Sequence, residues 1–266
     1  MSSPLSALEK ESRLLQQLRL YPAAALAYSG GVDSSYLADV AFEVLGENLL
    51  LLIADTPTQP RAELAAALDL AGERGWPVMS FTSGEFDNPD FLANSSQRCY
   101  HCKGEIFASL KQHAAEQGIS ILLHGENADD AFDTTRVGVL AAREAGALAP
   151  LADQGFTKEE IRQRSRARQL PTWNKASFAC LATRIPTGTP ISREILCRIE
   201  KAESLLQQAG FHQYRARHHG DLCRIEVEEE EMARFLDPAL RKTIVDGIRK
   251  IGYSQVTLDL KGYGRP

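Results

Sequence analysis

Ala23-Ala24-Ala25-Leu26-Ala27-Tyr28-Ser29-Gly30-Gly31-Val32-Asp33-Ser34-Ser35-Tyr36-Leu37-Ala38-Asp39-Val40-Ala41-Phe42 is the stretch whose reading decides the fold. A short apolar run enters two glycines and a longer, helix-forming run leaves them, so the order is strand, tight turn, helix. Gly30 and Gly31 permit positive φ and let backbone N–H groups approach an anion with no Cβ in the way. Asp33, Ser34 and Ser35 fall where the helix begins and are placed to cap its first amides. The helix dipole and those amides favour a phosphate at Ser29–Ser35, Val32 included. The turn carries no lysine, so it lacks the Gly-Lys-Ser/Thr ending of a Walker loop, and the dinucleotide fingerprint is absent as well.

On either side the chain keeps alternating. Leu8, Leu14, Leu15 and Leu18 recur at helical spacing between charges over residues 6–20. Leu49–Ala54 is a continuous apolar run ending in Asp55, as suits a parallel strand buried on both faces. Arg61–Arg74 reads as helix, Pro77–Phe81 as strand, Tyr100–Gln117 as helix and Ile119–Leu123 as strand. Strands and helices alternating at this spacing form βαβ units with right-handed crossovers. The predicted class is α/β, a doubly wound parallel sheet. In such sheets ligands bind beyond the carboxyl ends of the strands, where His124-Gly125-Glu126-Asn127-Ala128-Asp129-Asp130 follows the last strand. Gly125, Asn127 and Asp130 are the candidates on that side. The two aspartates suit Mg²⁺, which prefers carboxylates and water; an Asn/Asp helix cap is the alternative.

Thr157–Gln169 reads as a basic amphipathic helix opened by a Thr157/Glu160 capping box. The character changes at Leu170–Ile191, rich in proline and threonine, with Trp173 and Cys180, and too long for an idle connection. Ser192–Gln208 is helical, Tyr214–Val227 holds two strand-like runs split by Gly220-Asp221, Glu228–Phe235 and Pro238–Ile251 are helical, and Gln255–Leu260 is a last strand. The expected division is residues 1–169 for the nucleotide domain and 170–266 for a small α+β domain.

At 266 residues with a net charge of −5, the chain has ample core and argues against a protein wrapped on nucleic acid. No apolar run approaches the ~20 residues that span a bilayer. The N-terminus, with Glu9, Lys10, Glu11 and Arg13 among leucines, lacks the apolar core of a signal peptide, so a cytoplasmic location is expected. Five cysteines, an odd count, make a disulfide framework improbable. Cys99 and Cys102 lie one helical turn apart; by spacing alone they suit a redox pair, half a zinc site or a clip on an iron–sulfur cluster. Cys180 is the natural third thiol. Cys197 and Cys223 read as small buried apolar residues, and His101, His218 and His219, possible ligands by residue type, read more readily as surface or core histidines.

Ser-Gly-Gly-Val-Asp-Ser (29–34) resembles the pyrophosphate loop (PP-loop) of ATP pyrophosphatases, which are adenine nucleotide alpha hydrolase-like in fold. Together with Arg98-Cys99-Tyr100-His101-Cys102-Lys103, Gly125-Glu126-Asn127-Ala128-Asp129-Asp130 and Ser177-Phe178-Ala179-Cys180-Leu181-Ala182-Thr183-Arg184-Ile185-Pro186, it resembles the LarE family of ATP-dependent sulfur transferases. The likeness runs on through Tyr214–Gly220 and the terminal Lys261-Gly262-Tyr263-Gly264. The resemblance implies a small-molecule substrate, a pyridinium-3,5-biscarboxylic acid mononucleotide. ATP would activate one of its carboxylates, which becomes a thiocarboxylate of the nickel-pincer nucleotide cofactor. It implies Mg²⁺ and, in members with all three of Cys99, Cys102 and Cys180, a [4Fe–4S] cluster whose fourth iron carries a sulfide. Members with a single cysteine at the Cys180 position give up that sulfur instead. A ring-like homo-oligomer, such as a hexamer, is also implied, with neither nucleic acid nor membrane as partner.

A carboxylate oxygen leaves poorly, so the chemistry begins at the α-phosphorus of ATP. Ser29–Ser35 would hold the departing pyrophosphate with Mg²⁺ on Asp130. Arg184, Arg215 and Arg217 are candidates for the phosphate and carboxylates of the substrate, which a guanidinium binds bidentately. Glu203 and Glu226 are weaker candidates for acidic groups near the site and read more readily as surface carboxylates. An RNA thiolase and a nucleotide-gated regulator are the competing functions.

Overall fold

Over residues 5–130, 137–176 and 179–264, which the computed structural model describes, the elements begin α1 (Ala7–Leu18), β1 (Ala24–Ala27), α2 (Val32–Leu45), β2 (Leu49–Asp55), α3 (Arg61–Arg74) and β3 (Val78–Thr82). They continue through α4 (Pro89–Leu92), α5 (Arg98–Glu116), β4 (Leu122–His124), α6 (Val137–Glu144), α7 (Pro150–Asp153) and α8 (Lys158–Ala167). The last group is α9 (Arg193–Gln208), β5 (Tyr214–His219), β6 (Leu222–Val227), α10 (Glu229–Met232), α11 (Pro238–Ile251) and β7 (Gln255–Leu258). Among the described residues no helix is long and apolar enough to cross a membrane.

Two units emerge: Met1–Thr56, Arg61–Phe91 and Gln97–Phe178 form the first, and Pro57–Pro60, Leu92–Ser96 and Ala179–Pro266 the second. Residues 170–176, grouped with the C-terminal domain on sequence, go with the first unit because Leu170 is buried in its core. Arg162 of α8 also holds the main chain of that strap.

The first unit is built on a parallel sheet of order β3-β2-β1-β4. Leu148 adds a single bridge beside Leu123 at the β4 edge. Strand alternation divides the core: Ala24 and Leu26 of β1 and Leu49, Leu51 and Ile53 of β2 pack with α1, α2, α3 and α8, whereas Ala25 and Leu52 pack with Phe107, Leu110 and Ala114 of α5. Both faces are covered, which is why the β2 sequence shows no polar alternation. The chain runs outward from β1 to β2 and β3, then returns to lay β4 on the other side of β1. The order reverses between β1 and β4, so the ends of these two strands flank the crevice where a doubly wound sheet binds its ligand.

A charge network fixes α8 to the N-terminal half of the unit. The buried Glu11 carboxylate accepts from Arg164 Nε at 2.8 Å, Arg168 Nη2 at 3.1 Å and the Tyr36 hydroxyl at 2.7 Å. Burial alone would push this carboxyl up, but the two guanidiniums and the phenol outweigh it and bring it from 4.5 down to about 2. A depressed carboxyl contributes stability that is complete above its unfolded value and lost as pH falls through the folded one. Acid titration of unfolding is therefore expected to show the first unit losing ~3 kcal/mol between pH ~4.5 and ~2. Glu11→Gln should start less stable at neutral pH and show a flatter acid limb; a limb as steep as in the parent chain would refute the assignment.

In the second unit β5 pairs antiparallel with β6, and β6 pairs parallel with β7. One face of this sheet, with Ala216, Cys223, Ile225 and Val227, packs on Ala202 and Leu206 of α9 and Ile244 and Ile248 of α11. The excursion 92–96 belongs here because Asn94 is buried at φ 54°. Its side-chain amide donates to the Pro186 and Thr189 carbonyls at 2.9 and 2.8 Å.

Candidate functional site

The turn after β1 requires glycine for two reasons. Gly30 has φ 68°, and a Cβ there would lie 2.4 Å from Ala67 Cβ on α3. Helix α2 starts from Gly31 with no side-chain cap, so the expected capping by Asp33, Ser34 and Ser35 does not occur. The hydroxyls shape the turn instead. Ser34 Oγ donates to the Gly31 carbonyl at 3.3 Å and accepts the Ser29 N–H at 3.3 Å, while Ser29 Oγ accepts the Gly31 N–H at 3.4 Å. Val32 and Ser35 are buried and seat the first helical turn. The positive end of a 14-residue helix thus faces the turn uncapped, the arrangement that receives phosphates.

The turn after β4 abuts it. A Cβ on Gly125 would lie 3.0 Å from Ser34 N and 3.3 Å from Asp33 C, so glycine lets the two turns touch. Asn127 folds the acidic turn, its Oδ1 accepting the N–H groups of Asp129 and Asp130 at 2.9 and 3.2 Å. Asp129 accepts the Lys158 N–H at 2.7 Å and so serves the start of α8, where the predicted Thr157/Glu160 capping box is present. Asp33 is paired with Lys158 Nζ at 2.6 Å. Burial pushes its carboxyl up, Lys158 opposes the rise, and the nearby charge of Asp130 adds to it. Deeper in the crevice, burial drives the imidazole of His124 down to about 4, assisted by Lys103 and Arg143. His124 is therefore neutral, while Glu126 beside it is paired with Arg143 at 2.9 Å.

Two ammonium groups that the sequence reading did not assign to the turn reach it. Lys158 arrives at the N-terminus of α8, and Lys175 arrives from the strap, its Nζ 3.1 Å from the Gly30 carbonyl and 2.6 Å from Glu63 Oε2. The missing lysine of the glycine turn is thus supplied twice from elsewhere in the unit. The only signals in the sequence were the basic character of 157–169 and the odd length of 170–191.

Cys99 is exposed and Cys102 half-buried on the first two turns of α5, one helical turn apart as the spacing requires. Cys180 lies in the second unit, half-buried ahead of the short helical turn Leu181–Arg184; Ser177 and Phe178 of its motif lie outside the described residues. The Cys180 carbonyl accepts from Thr183 N at 2.9 Å and Oγ1 at 2.8 Å, and the next amide, Leu181 N, donates to the Thr58 carbonyl at 2.8 Å. Arg184 is buried: it grips Glu203 through Nε at 2.7 Å and Nη2 at 3.2 Å, and Nη1 donates to the Ala179 carbonyl at 2.9 Å. Its fork braces the loop that carries Cys180.

Arg215 and Arg217 share the face of β5 turned away from the second core. Arg217 pairs bidentately with Glu226 at 2.7 and 3.1 Å, Arg224 adds a second guanidinium on Glu226 at 3.0 Å, and Arg215 stacks on the Tyr263 ring at 4.6 Å. Glu203 and Glu226 are both buried, which corrects their reading as surface carboxylates: each is covered by the arginine that it holds. Cys223 is buried as expected, but Cys197 is exposed, because its position on α9 falls off the core stripe of Leu196, Ile199 and Ala202. His218 is a core histidine 3.2 Å from the Tyr253 hydroxyl, His219 is exposed and His101 half-buried.

Among the described residues no three His, Cys, Asp or Glu side chains form a metal-binding group by themselves. Mg²⁺ fits what is present, since it needs only one or two carboxylates when phosphate oxygens and water complete its shell, and Asp33 and Asp130 oppose each other's charge. Cys99 and Cys102 lie on one helix face, the spacing of two ligands to one metal group; Cys180 belongs to the second unit.

No family model matches the sequence. An uncharacterized protein of Synechocystis sp. (slr1717) is 38% identical over 240 residues, 90% of this chain and 89% of that protein. The pyridinium-3,5-bisthiocarboxylic acid mononucleotide synthase of Lactiplantibacillus plantarum is 29% identical over 255 residues, 96% of this chain and 91% of the synthase. The chain belongs to one family with slr1717, and its likeness to the synthase supports the LarE family. A third relative, an uncharacterized protein of Methanocaldococcus jannaschii (MJ0830), is 27% identical over 238 residues, covering 90% of this chain and 89% of its own. Because these matches span both units, the family likeness takes in the crevice of the first and the arginine face of the second.

Proposed function

We propose that this LarE-family chain is an ATP-dependent sulfur transferase of the PP-loop type. It adenylates a carboxylate of pyridinium-3,5-biscarboxylic acid mononucleotide and converts it to a thiocarboxylate for nickel-pincer cofactor synthesis. The observation that carries the reading is the abutment of the uncapped glycine turn and the acidic turn at the switch point, through Gly125 against Ser34. That pairing gives amides and a helix dipole for pyrophosphate on one side and carboxylates for Mg²⁺ on the other.

In the first half-reaction a substrate carboxylate oxygen attacks the α-phosphorus, the bond to the bridging oxygen breaks, and pyrophosphate departs onto Ser29–Ser35. Asp33 and Asp130 would hold the Mg²⁺ that neutralises it, with Gly125 and Asn127 keeping the acidic turn against α2. In the second half-reaction a sulfur nucleophile adds to the acyl carbon and AMP leaves. The chain's part there is to present Cys180 on its braced loop and to bind the anionic substrate. Arg215 and Arg217 are proposed for that binding, and Arg184 acts by holding the loop. A [4Fe–4S] cluster held by Cys99, Cys102 and Cys180 would supply the sulfur as a sulfide on its fourth iron. The protein would work in the cytoplasm as a homo-oligomer, with no nucleic-acid partner.

Anaerobically purified protein mixed with Mg·ATP and the biscarboxylate mononucleotide is expected to release AMP and pyrophosphate only when that substrate is present, and to carry about four irons per chain. Cys99→Ala should lose the iron and the thiocarboxylate product while still releasing pyrophosphate. Iron-free protein that makes product while its mass falls by one sulfur per turnover would move the donation to Cys180 itself. Absence of pyrophosphate release with every carboxylate tried would overturn the adenylation.

A further inference from the structure

A triphosphate brings three or four negative charges into a crevice that already contains Asp33 and Asp130. The amides of one helix end offset only about half an elementary charge, so further cations must come from the chain or from Mg²⁺. Lys158 and Lys175 are the ammonium groups seen at the turn, and their partners differ. Lys158 sits on Asp33, a carboxylate of the turn itself, and its own N–H is tied to Asp129, so it serves the acidic side. Lys175 approaches the turn through a neutral carbonyl, Gly30 O, and balances its charge on Glu63 of α3, outside the turn.

The strap that delivers Lys175 is held in place by α8. Arg162 donates to the Trp173 carbonyl at 3.3 Å, Asn174 Oδ1 at 3.1 Å and the Lys175 carbonyl at 3.2 Å, and the Arg166 guanidinium lies 5.0 Å from the Trp173 ring centroid. A flexible lysine stem on a fixed backbone is a point cation that can swing between nearby acceptors.

We propose that Lys175 is the phosphate-binding lysine of this site. It waits on Glu63 and the Gly30 carbonyl and transfers its ammonium to the polyphosphate when nucleotide enters the glycine turn. The inference rests on the nucleotide reading of that turn and adds a residue that the turn's own sequence lacks. Lys175 is five positions before Cys180 in the chain.

The test compares two variants of the full chain by calorimetric binding of Mg·ATP, inorganic pyrophosphate and AMP. Lys175→Met is expected to weaken Mg·ATP and pyrophosphate on the order of 10- to 100-fold, as befits a lost charge-assisted contact, with AMP changed less than about twofold. Lys175→Arg should recover most of the loss. Glu63→Gln should leave pyrophosphate binding as tight or tighter, because it removes the competitor for the ammonium. If Lys175 serves only as the ion-pair partner of Glu63, both neutral variants weaken all three ligands alike, and the proposal falls. Should Lys175→Met fail to fold, the sign of the Glu63→Gln effect and the recovery by arginine decide it. Parent protein that binds neither ATP nor pyrophosphate would overturn the nucleotide site as a whole; parent protein that binds both while Lys175→Met binds as well would overturn Lys175 alone.

Discussion

Gly30→Ala is expected to destabilise the first unit by about 2–5 kcal/mol and to weaken Mg·ATP binding roughly tenfold or more. Two costs combine. The backbone at φ 68° lies in the left-handed region, which disfavours an L side chain by ~1–2 kcal/mol. The new methyl would also sit 2.4 Å from Ala67 Cβ and 3.1 Å from Ala67 Cα. Alanine has no rotamer with which to move aside, so the turn and α3 must separate, and the turn is the part that binds phosphate. Only the second cost is relieved by Ala67→Gly, which itself costs about 1 kcal/mol in a helix interior. The double variant should therefore bind Mg·ATP better than Gly30→Ala alone, with a favourable coupling in a double-mutant cycle on binding. Strictly additive effects would mean that the close approach is not what makes glycine necessary there.

Much of the first unit was legible because local chemistry and tertiary packing agree in it. The run Leu49–Ile53 is apolar without alternation because both faces of β2 are covered, and helix α3 came out at Arg61–Arg74 as read. The glycine turn announced itself because a positive φ leaves its mark on sequence. Other features left no such mark. Lys175 reaches Gly30 across 145 positions, and a lone lysine in a proline-rich strap looks like any solvated one. The expected caps from Asp33 and Ser34 failed because those residues were already drawn to Lys158 and to the turn's own carbonyl. Glu203 and Glu226 looked like surface residues because a carboxylate's burial depends on an arginine contributed by another element. The same blindness affected the excursions 57–60 and 92–96, whose membership in the second unit depends on contacts such as Asn94 to Pro186 and not on composition.

Arg184→Met should cost the second unit about 3–5 kcal/mol, because it leaves Glu203 buried and without its cation. Among the described residues Glu203 would keep the Ala216 N–H, at 3.1 Å. The pair also does something that its energy does not measure: through Nη1 the guanidinium holds the Ala179 carbonyl and Thr183 Oγ1, both at 2.9 Å, and so fixes the loop on either side of Cys180. Stability and placement can be separated. Replacing both partners, Arg184→Met with Glu203→Leu, removes the unpaired charge, and such replacements of buried ion pairs are often neutral or stabilising. The double variant is expected to regain most of the melting temperature lost by Arg184→Met and to keep substrate-dependent pyrophosphate release. It should form thiocarboxylate at least about tenfold more slowly than the parent, a barrier of ~1.4 kcal/mol, since the hydrogen bond from Arg184 to the Ala179 carbonyl is then gone. A double variant that transfers sulfur at the parent rate would show that Arg184 matters only as the counter-ion of Glu203. One that also loses pyrophosphate release would show that this arginine serves the adenylation step and that the brace on Cys180 is incidental.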